Sequence, residues 1–204
     1  MRKIYYALLK WIRSLAIKNK TVTVVSNNCW GGFMYQSCKL QYHTPFIGLF
    51  MVAPDYIKLL ENFDDIIHRP LLFKRRKDSK YSDYLVKDFI IGVFEGTDIE
   101  IVFKHYHSEE EVREKWYRRL QRLDAKNMIV KFSDSDLCTE DLIRRFDVLP
   151  FKNKICFTGK PYPKYKSVKY MSEFKESGHV VNEWAYSYNS VSYTHLTLPT
   201  KVTV

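Results

Sequence analysis

Residues 21–32 read TVTVVSNNCWGG, and this stretch decides the fold. Its first half alternates β-branched and small residues, as a buried strand does. Two asparagines, a cysteine, a tryptophan and paired glycines then end the strand pattern abruptly. In an open α/β sheet, ligands bind at the carboxyl ends of the strands. The stretch therefore predicts an α/β protein with a candidate site at residues 27–30.

Strand and helix patterns continue along the chain. We predict further strands over residues 45–51, 71–74, 89–94, 98–103, 127–132 and 154–158. Helices are predicted over residues 53–67 and 139–148, together with one that follows a capping box at Ser108, whereas the chain after Gly159 reads as a loop. Helix-length gaps between strands indicate parallel crossovers, and residues 89–103 are close enough in sequence to form a hairpin. The pattern predicts a three-layer α/β/α fold with a mixed, mainly parallel sheet.

Composition favours one globular domain over residues 21–190. The chain has 204 residues, of which 46% are hydrophobic, enough for a substantial core. Its net charge is +10, but residues 1–20 contain six basic side chains and no acidic one. The remainder is therefore only mildly basic, and we expect no nucleic-acid partner.

The four cysteines are scattered, without the spacing of a zinc site or of a disulfide framework. Lys10 interrupts the only apolar run that a signal peptide could use, and no run is long enough to span a bilayer. These features favour a cytoplasmic protein.

Residues 1–20 have the pattern of an amphipathic basic helix. One face of this helix carries the apolar residues Ile4, Leu8 and Trp11, and the other side carries the basic residues Lys3, Lys10 and Arg13. Two interpretations of this helix remain open. The helix can lie on an anionic membrane surface, as a peripheral anchor at the inner membrane face, or it can pack on the domain with its charges in water.

The other end of the chain has an unusual sequence. Residues 191–200 read VSYTHLTLPT, which looks like the translation of a transposase adapter used in sequencing libraries. We therefore interpret residues 191–204 as an artefactual tail and expect the genuine chain to end near Ser190, without its natural C-terminus.

The first candidate site group follows the strand of residues 21–26. Cys29 is a candidate nucleophile if a helix N-terminus or a histidine stabilises its thiolate, and Asn27 and Asn28 can orient sugar hydroxyls. Trp30 is a further substrate-binding candidate. The alternative is that the asparagines cap a turn and Cys29 is a small buried hydrophobe.

The second group, His105 and Tyr106, follows the strand of residues 98–103. His105 is a candidate general base, because the ordinary pKa of histidine lies near physiological pH, and Tyr106 is a candidate for substrate contact. The alternative is a loop histidine with no catalytic role.

The third group, Asp134 and Asp136, follows the strand of residues 127–132. An Asp-x-Asp sequence at a strand end can hold Mg²⁺ or Mn²⁺ against the diphosphate of a nucleotide sugar, because hard cations prefer oxygen ligands. The same residue types also serve as turn and capping residues.

Taken together, several motifs resemble those of the bacterial family called domain of unknown function 1919. They are SNNCWGG at 26–32, Thr44-Pro45 with Gly48-Leu49-Phe50, His105-Tyr106 followed by Trp116 and Arg119, and Phe146-Asp147 with Leu149-Pro150-Phe151. The resemblance spans residues 21–172 and implies a three-layer α/β fold and an association with surface-glycan gene clusters. Members are often described as exopolysaccharide biosynthesis proteins, and the family brings no established mechanism.

These observations lead us to expect a transferase of capsule or exopolysaccharide biosynthesis. Its substrate would be a sugar or nucleotide sugar, with Arg119 paired with a phosphate or carboxylate. Glycosyl transfer is preferred, acyl transfer is the second enzymatic possibility, and a non-enzymatic glycan- or membrane-binding accessory protein is the alternative.

Overall fold

The computed structural model describes residues 20–187. Its strands are β1 (Thr23–Ser26), β2 (Leu71–Lys74), β3 (Ile90–Phe94), β4 (Glu100–Phe103), β5 (Met128–Ser133), β6 (Lys154–Thr158) and β7 (Val168–Tyr170). Its helices are α1 (Trp30–Ser37), α2 (Ala53–Glu61), α3 (Phe63–Ile66), α4 (Glu109–Leu120), α5 (Glu140–Val148) and α6 (Trp184–Ser187).

Four strands form a parallel sheet in the order β1-β5-β6-β7. Every residue of β1 and β5 is buried, so both strands are covered on both faces, although β1 is the edge strand of this sheet. On one face Val130 and Phe132 pack with residues of α2 and α5, and on the other Ile129 packs with residues of α1. The predicted three-layer α/β/α fold is confirmed.

A smaller antiparallel sheet has the order β2-β3-β4 and includes the predicted hairpin. Helix α4 covers it, and Trp116 packs against Phe94 and Phe103. The side chain of Ser108 accepts the Glu111 N–H at 3.1 Å, so α4 begins at its predicted cap.

The predicted strand at residues 45–51 is wrong. Phe50 makes a single antiparallel bridge with Val102, and Gly48 has a φ of +72°, which lies outside the range of strands. The N–H of Met51 donates to the Asn27 carbonyl at 2.9 Å. The segment therefore connects the two sheets instead of extending either of them.

Two other boundaries differ from the sequence prediction. The helix predicted over 53–67 is divided at Asn62, where the backbone leaves the helical region, into α2 and α3. The loop predicted after Gly159 contains β7, which pairs with β6. With three residues, β7 is too short to show alternation.

Two predictions concern residues outside the described range: the amphipathic helix at the N-terminus and the tail of residues 191–204. Within residues 20–187, no helix is both long and apolar enough to cross a bilayer.

Candidate functional site

The carboxyl ends of β1, β5 and β6 open into a cleft with two adjoining chambers. The larger chamber has a volume of about 720 Å³ and the smaller about 380 Å³. Four residues line both chambers: Tyr84, Ser135, Asp136 and His179. The cleft thus lies at the edge of the sheet where the sequence predicted a site.

The larger chamber combines an apolar wall with basic side chains. Its apolar lining consists of Phe50, Leu85, Val86, Phe89, Val180, Val181 and Trp184, and its basic lining of Lys87, Lys104, His105 and His179. In the described part of the chain, neither Lys87 nor Lys104 forms a salt bridge. Their charges are therefore free to attract an anionic group.

One wall of the cleft is the loop of residues 79–89, which two buried carboxylates hold in place. Asp55 accepts from Lys80 Nζ at 2.7 Å and from the Tyr81 hydroxyl at 3.0 Å, and Glu100 accepts from Ser79 and from the Lys80 N–H. These contacts connect the loop to α2 and β4. Tyr84 and Lys87 therefore project from an anchored segment.

His105 lies just beyond β4, where its N–H donates to the Gly48 carbonyl at 3.0 Å. Its side chain is exposed to the larger chamber. Partial burial, followed by the positive charge of Lys104, lowers the pKa of His105 below its ordinary value. This shift favours the uncharged imidazole at neutral pH, the form that can accept a proton.

Cys29 lines the same chamber as His105 and occupies the N-cap position of α1. Its Sγ lies 3.8 Å from the Leu49 carbonyl oxygen. Burial raises the pKa of Cys29, although the charges of Lys104 and Lys131 act in the opposite direction. The resting side chain is a thiol, so a nucleophilic role requires a base to remove its proton.

Asn27 is fully buried and joins two neighbouring strands. Its side-chain oxygen accepts the Ser133 N–H at 3.1 Å, and its backbone carbonyl accepts from Met51. Asn27 does not line either chamber. These contacts give Asn27 a structural role between two strands, which differs from the turn cap offered as the alternative in the sequence.

Asn28 lies at the floor of the larger chamber, with its amide group directed into the protein. Its Oδ1 accepts from the Trp30 N–H at 3.1 Å and from Lys131 Nζ at 3.0 Å. Its Nδ2 donates to Glu183 Oε1 at 2.9 Å and to Ser133 Oγ at 3.3 Å. Asn28 therefore belongs to a buried polar cluster next to the cleft.

The two aspartates after β5 point in different directions. Both carboxylate oxygens of Asp134 accept backbone N–H groups, from Val180 at 2.7 Å and from Gly159 at 2.8 Å. Asp136 accepts from the Tyr84 hydroxyl at 2.8 Å. Within residues 20–187, no group of three or more histidine, cysteine or carboxylate side chains is arranged to hold a metal ion. The metal site stays a prediction.

The backbone after β5 is strained at the shared part of the cleft. Asp136 and Leu137 both have a positive φ, of 52° and 65°. Such conformations are uncommon for residues other than glycine, and they concentrate at functional sites. This strain is an independent reason to regard the cleft as a binding site.

Three predicted substrate-binding residues lie away from both chambers. Arg119 donates to the Tyr106 hydroxyl at 2.8 Å and lies over the Tyr42 ring, with its Cζ 5.1 Å from the ring centroid. Tyr106 in turn donates to the Ile47 carbonyl at 2.7 Å. Trp30 is buried, and its ring centroid lies 5.9 Å from that of Phe157. All three act in packing within the described structure.

Several cleft residues were not predicted from the sequence: Tyr84, Lys87, Lys104, Lys160, His179 and Trp184. Lys104 directly precedes His105 at the end of β4, a position that could have drawn attention to it. Trp184 begins the four-residue helix α6, and the others come from irregular segments; neither kind of segment carries a periodic signal. Only tertiary folding brings these segments to the sheet edge.

A family model described as domain of unknown function (DUF1919) matches residues 1–198 of the chain. The matched range includes residues 191–198, and the adapter interpretation of the tail stays a prediction. An uncharacterised protein of Haemophilus influenzae (strain Rd) is 36% identical over 171 residues, which are 84% of this chain and 78% of that protein. The chain therefore belongs to the DUF1919 family.

Proposed function

We propose that the protein is a transferase of capsule or exopolysaccharide biosynthesis that uses a diphosphate-bearing donor and a hydroxyl acceptor. One observation carries this proposal: His105, whose pKa is lowered by burial and by Lys104, shares a cleft with lysines that form no salt bridge within residues 20–187. This combination supplies a general base beside an anion-binding surface. The proposal includes a cytoplasmic location, with membrane attachment through residues 1–20 as a further prediction.

The basic side chains suit the donor. Lys104 and Lys87 line the larger chamber, and Lys160 lines the smaller one. Nucleotide sugars and acyl-coenzyme A thioesters both carry a diphosphate, which lysine binds as a point charge. The donor can therefore be of either kind, and the shared requirement is an anion site that includes Lys104.

His105 is suited to activate the acceptor. It accepts the proton of an acceptor hydroxyl as that oxygen forms a bond to the transferred group. In glycosyl transfer the bond from the anomeric carbon to the donor phosphate breaks and a nucleoside diphosphate leaves. In acyl transfer the carbon–sulfur bond breaks and coenzyme A leaves. The proton on His105 then passes to the leaving group or to water.

The carboxylate contacts bear on the two donors differently. Both oxygens of Asp134 already accept backbone N–H groups, so this side chain is poorly placed to bridge a cation to a nucleotide sugar. A donor held mainly by lysines fits the observed geometry better. Acyl transfer, or glycosyl transfer that does not use Asp134 as a metal ligand, is thus the better supported form.

Ligand binding to the full chain tests the proposal. Calorimetric titration with UDP-glucose, with and without Mn²⁺, and with acetyl-coenzyme A should give binding by one donor. Lys104→Met should weaken it, because a phosphate loses its counter-charge. Lys126→Met is the matched control, since Lys126 is exposed and lies two residues before the amino end of β5, away from the cleft.

The three outcomes have different meanings. Loss of affinity in Lys104→Met alone supports the proposed donor site. Equal affinity in both variants would contradict it. Binding of an oligosaccharide, with no binding of either donor, would favour the non-enzymatic accessory protein.

A further inference from the structure

A buried polar cluster lies beneath the larger chamber. It consists of Lys131, Ser133, Asn28 and Glu183, each of which is at most 8% exposed. Glu183 Oε1 accepts from Ser133 Oγ at 2.7 Å, from Asn28 Nδ2 at 2.9 Å and from Lys131 Nζ. Three different donor groups thus converge on one carboxylate oxygen.

The three donors belong to the framework of the fold. Lys131 and Ser133 lie on β5, and Asn28 follows β1, which pairs with β5 in parallel. The Lys131 Nζ also donates to Ser133 Oγ and, at 3.0 Å, to Asn28 Oδ1. The donors therefore hold one another in position through contacts that do not involve Glu183.

The carboxylate comes from a peripheral segment, residues 178–184. Val181 and Asn182 in this segment are exposed, and the N–H of Val180 donates to Asp134. The Trp184 ring stacks on Phe33 with the ring centroids 5.6 Å apart. Val180, Val181 and Trp184 also line the cleft, so this segment forms the wall between the cleft and the cluster.

The energetics of burial require an anion beside Lys131. A buried ion pair contributes little net stability because the desolvation of both charges offsets their attraction. The same desolvation means that a buried ammonium group requires an anion nearby. Burial lowers the pKa of Lys131, and the charge of Glu183 opposes this effect. The place beside the Lys131 ammonium group must therefore hold a carboxylate, but burial alone does not specify which carboxylate.

We propose that Lys131, Ser133 and Asn28 form a carboxylate-binding site, which Glu183 fills from within the chain and from which the carboxylate of an acidic sugar can displace it. The choice of an acidic sugar rests on the proposed function. The carboxylate site itself does not, because it follows from the three convergent donors.

The first test vacates the site. In Glu183→Ala, sodium formate should raise the melting temperature more than sodium chloride does at the same ionic strength, because formate can replace the missing carboxylate. The double variant Lys131→Met with Glu183→Ala should show no such difference. If the single variant does not fold, the cleavage experiment on the unmodified chain tests the same site. Equal effects of formate on the single and double variants would overturn the proposal.

The second test follows displacement in the unmodified chain. A glutamate-specific protease can cut after Glu183 only when this residue leaves the cluster, whereas Glu176 is exposed and serves as the internal reference. Glucuronate should increase cleavage after Glu183 relative to Glu176, and glucose should not. An unchanged ratio with glucuronate would overturn the displacement.

These results can be separated from those on the donor site. Donor binding is measured through Lys104, whereas the formate and cleavage experiments depend on Lys131 and Glu183. If the donor does not bind, formate can still stabilise the Glu183→Ala variant. If formate has no effect, the donor can still bind through Lys104.

Discussion

Gly159, directly after β6, lies against the backbone of His179. A Cβ atom at Gly159 would come within 2.5 Å of the His179 nitrogen and 2.7 Å of its Cα. Real Cβ atoms essentially never approach backbone atoms so closely. The close approach brings the segment of residues 178–184 onto the edge of the parallel sheet, where it forms one wall of the cleft.

Gly159→Ala should therefore destabilise the protein by about 1–3 kcal/mol, the usual range for overpacking a tight contact. Urea unfolding measures this change. Gly32→Ala is the control, because its nearest contact for a new Cβ is at 3.9 Å and alanine in a helix stabilises by about 0.5–1 kcal/mol. Equal effects of the two substitutions would contradict the contact.

His105→Gln should lower the transfer rate by about 10²–10⁴, the usual contribution of a general base. Release of nucleoside diphosphate or coenzyme A in the presence of a sugar acceptor provides the assay. His107→Gln is the control, since His107 is a nearby exposed histidine that does not line the cleft. A similar loss in both variants would point to a structural effect.

The pH dependence of transfer should carry the signature of His105. Burial and Lys104 lower its pKa, so the uncharged base persists to lower pH than an ordinary histidine allows. The rate should therefore be constant at and just above pH 6.5, the ordinary pKa of histidine. It should fall only when the pH decreases below that value. Lys104→Met removes one cause of the shift and should move this fall to higher pH. An identical profile in that variant would contradict the assignment.

Arg119→Met should reduce the free energy of unfolding by about 1–3 kcal/mol, because it leaves the Tyr106 hydroxyl without its donor and removes the contact with Tyr42. Donor affinity should be unchanged, since Arg119 lies outside the cleft. Arg118→Met on the same helix removes only an exposed pair with Glu114 and should have an effect within about 0.5 kcal/mol. Weakened donor binding in Arg119→Met alone would restore the ligand role that the sequence suggested.

Asp134→Asn should cost about 1–3 kcal/mol of stability, because the amide group would place a donor opposite a backbone N–H. Mn²⁺ should change the affinity for UDP-glucose to the same extent in the unmodified protein and in this variant. Titrations with and without the ion make the comparison. A manganese-dependent affinity that the substitution abolishes would establish the metal site instead.

Sequence patterns predicted the elements whose signals are local. The alternation of residues 21–26, the hairpin of β3 and β4 and the Ser108 cap each depend on a few neighbouring residues, and the structure contains all three. Residues 45–51 misled the prediction, because an apolar run looks alike in a strand and in a buried connection. Gly48 was the available sign of a turn.

The cleft lies at strand ends that the sequence pattern singled out, and only part of its lining was among the predicted residues. Asn28 and Cys29 follow β1 and Asp136 follows β5, and the carboxyl ends of these parallel strands meet at one edge. His105 follows β4 of the other sheet and reaches the cleft beside the connecting segment, where its N–H donates to the Gly48 carbonyl. Arg119 was predicted to bind a phosphate or carboxylate because of its positive charge. In the structure its guanidinium group contacts the Tyr106 hydroxyl and the Tyr42 ring. The Lys131–Glu183 pair spans 52 positions, and no local pattern connects its members.

The placement of β1 beside β5 has a consequence for synthesis of the protein. Asn27 and Ser133, which join the ends of these strands, are 106 positions apart. A ribosome must therefore release more than half of the chain before β1 has a partner, and pairings of such long range form slowly. During that interval the apolar strand is exposed and open to aggregation. Chaperone demand during translation should accordingly be greatest before β5 emerges.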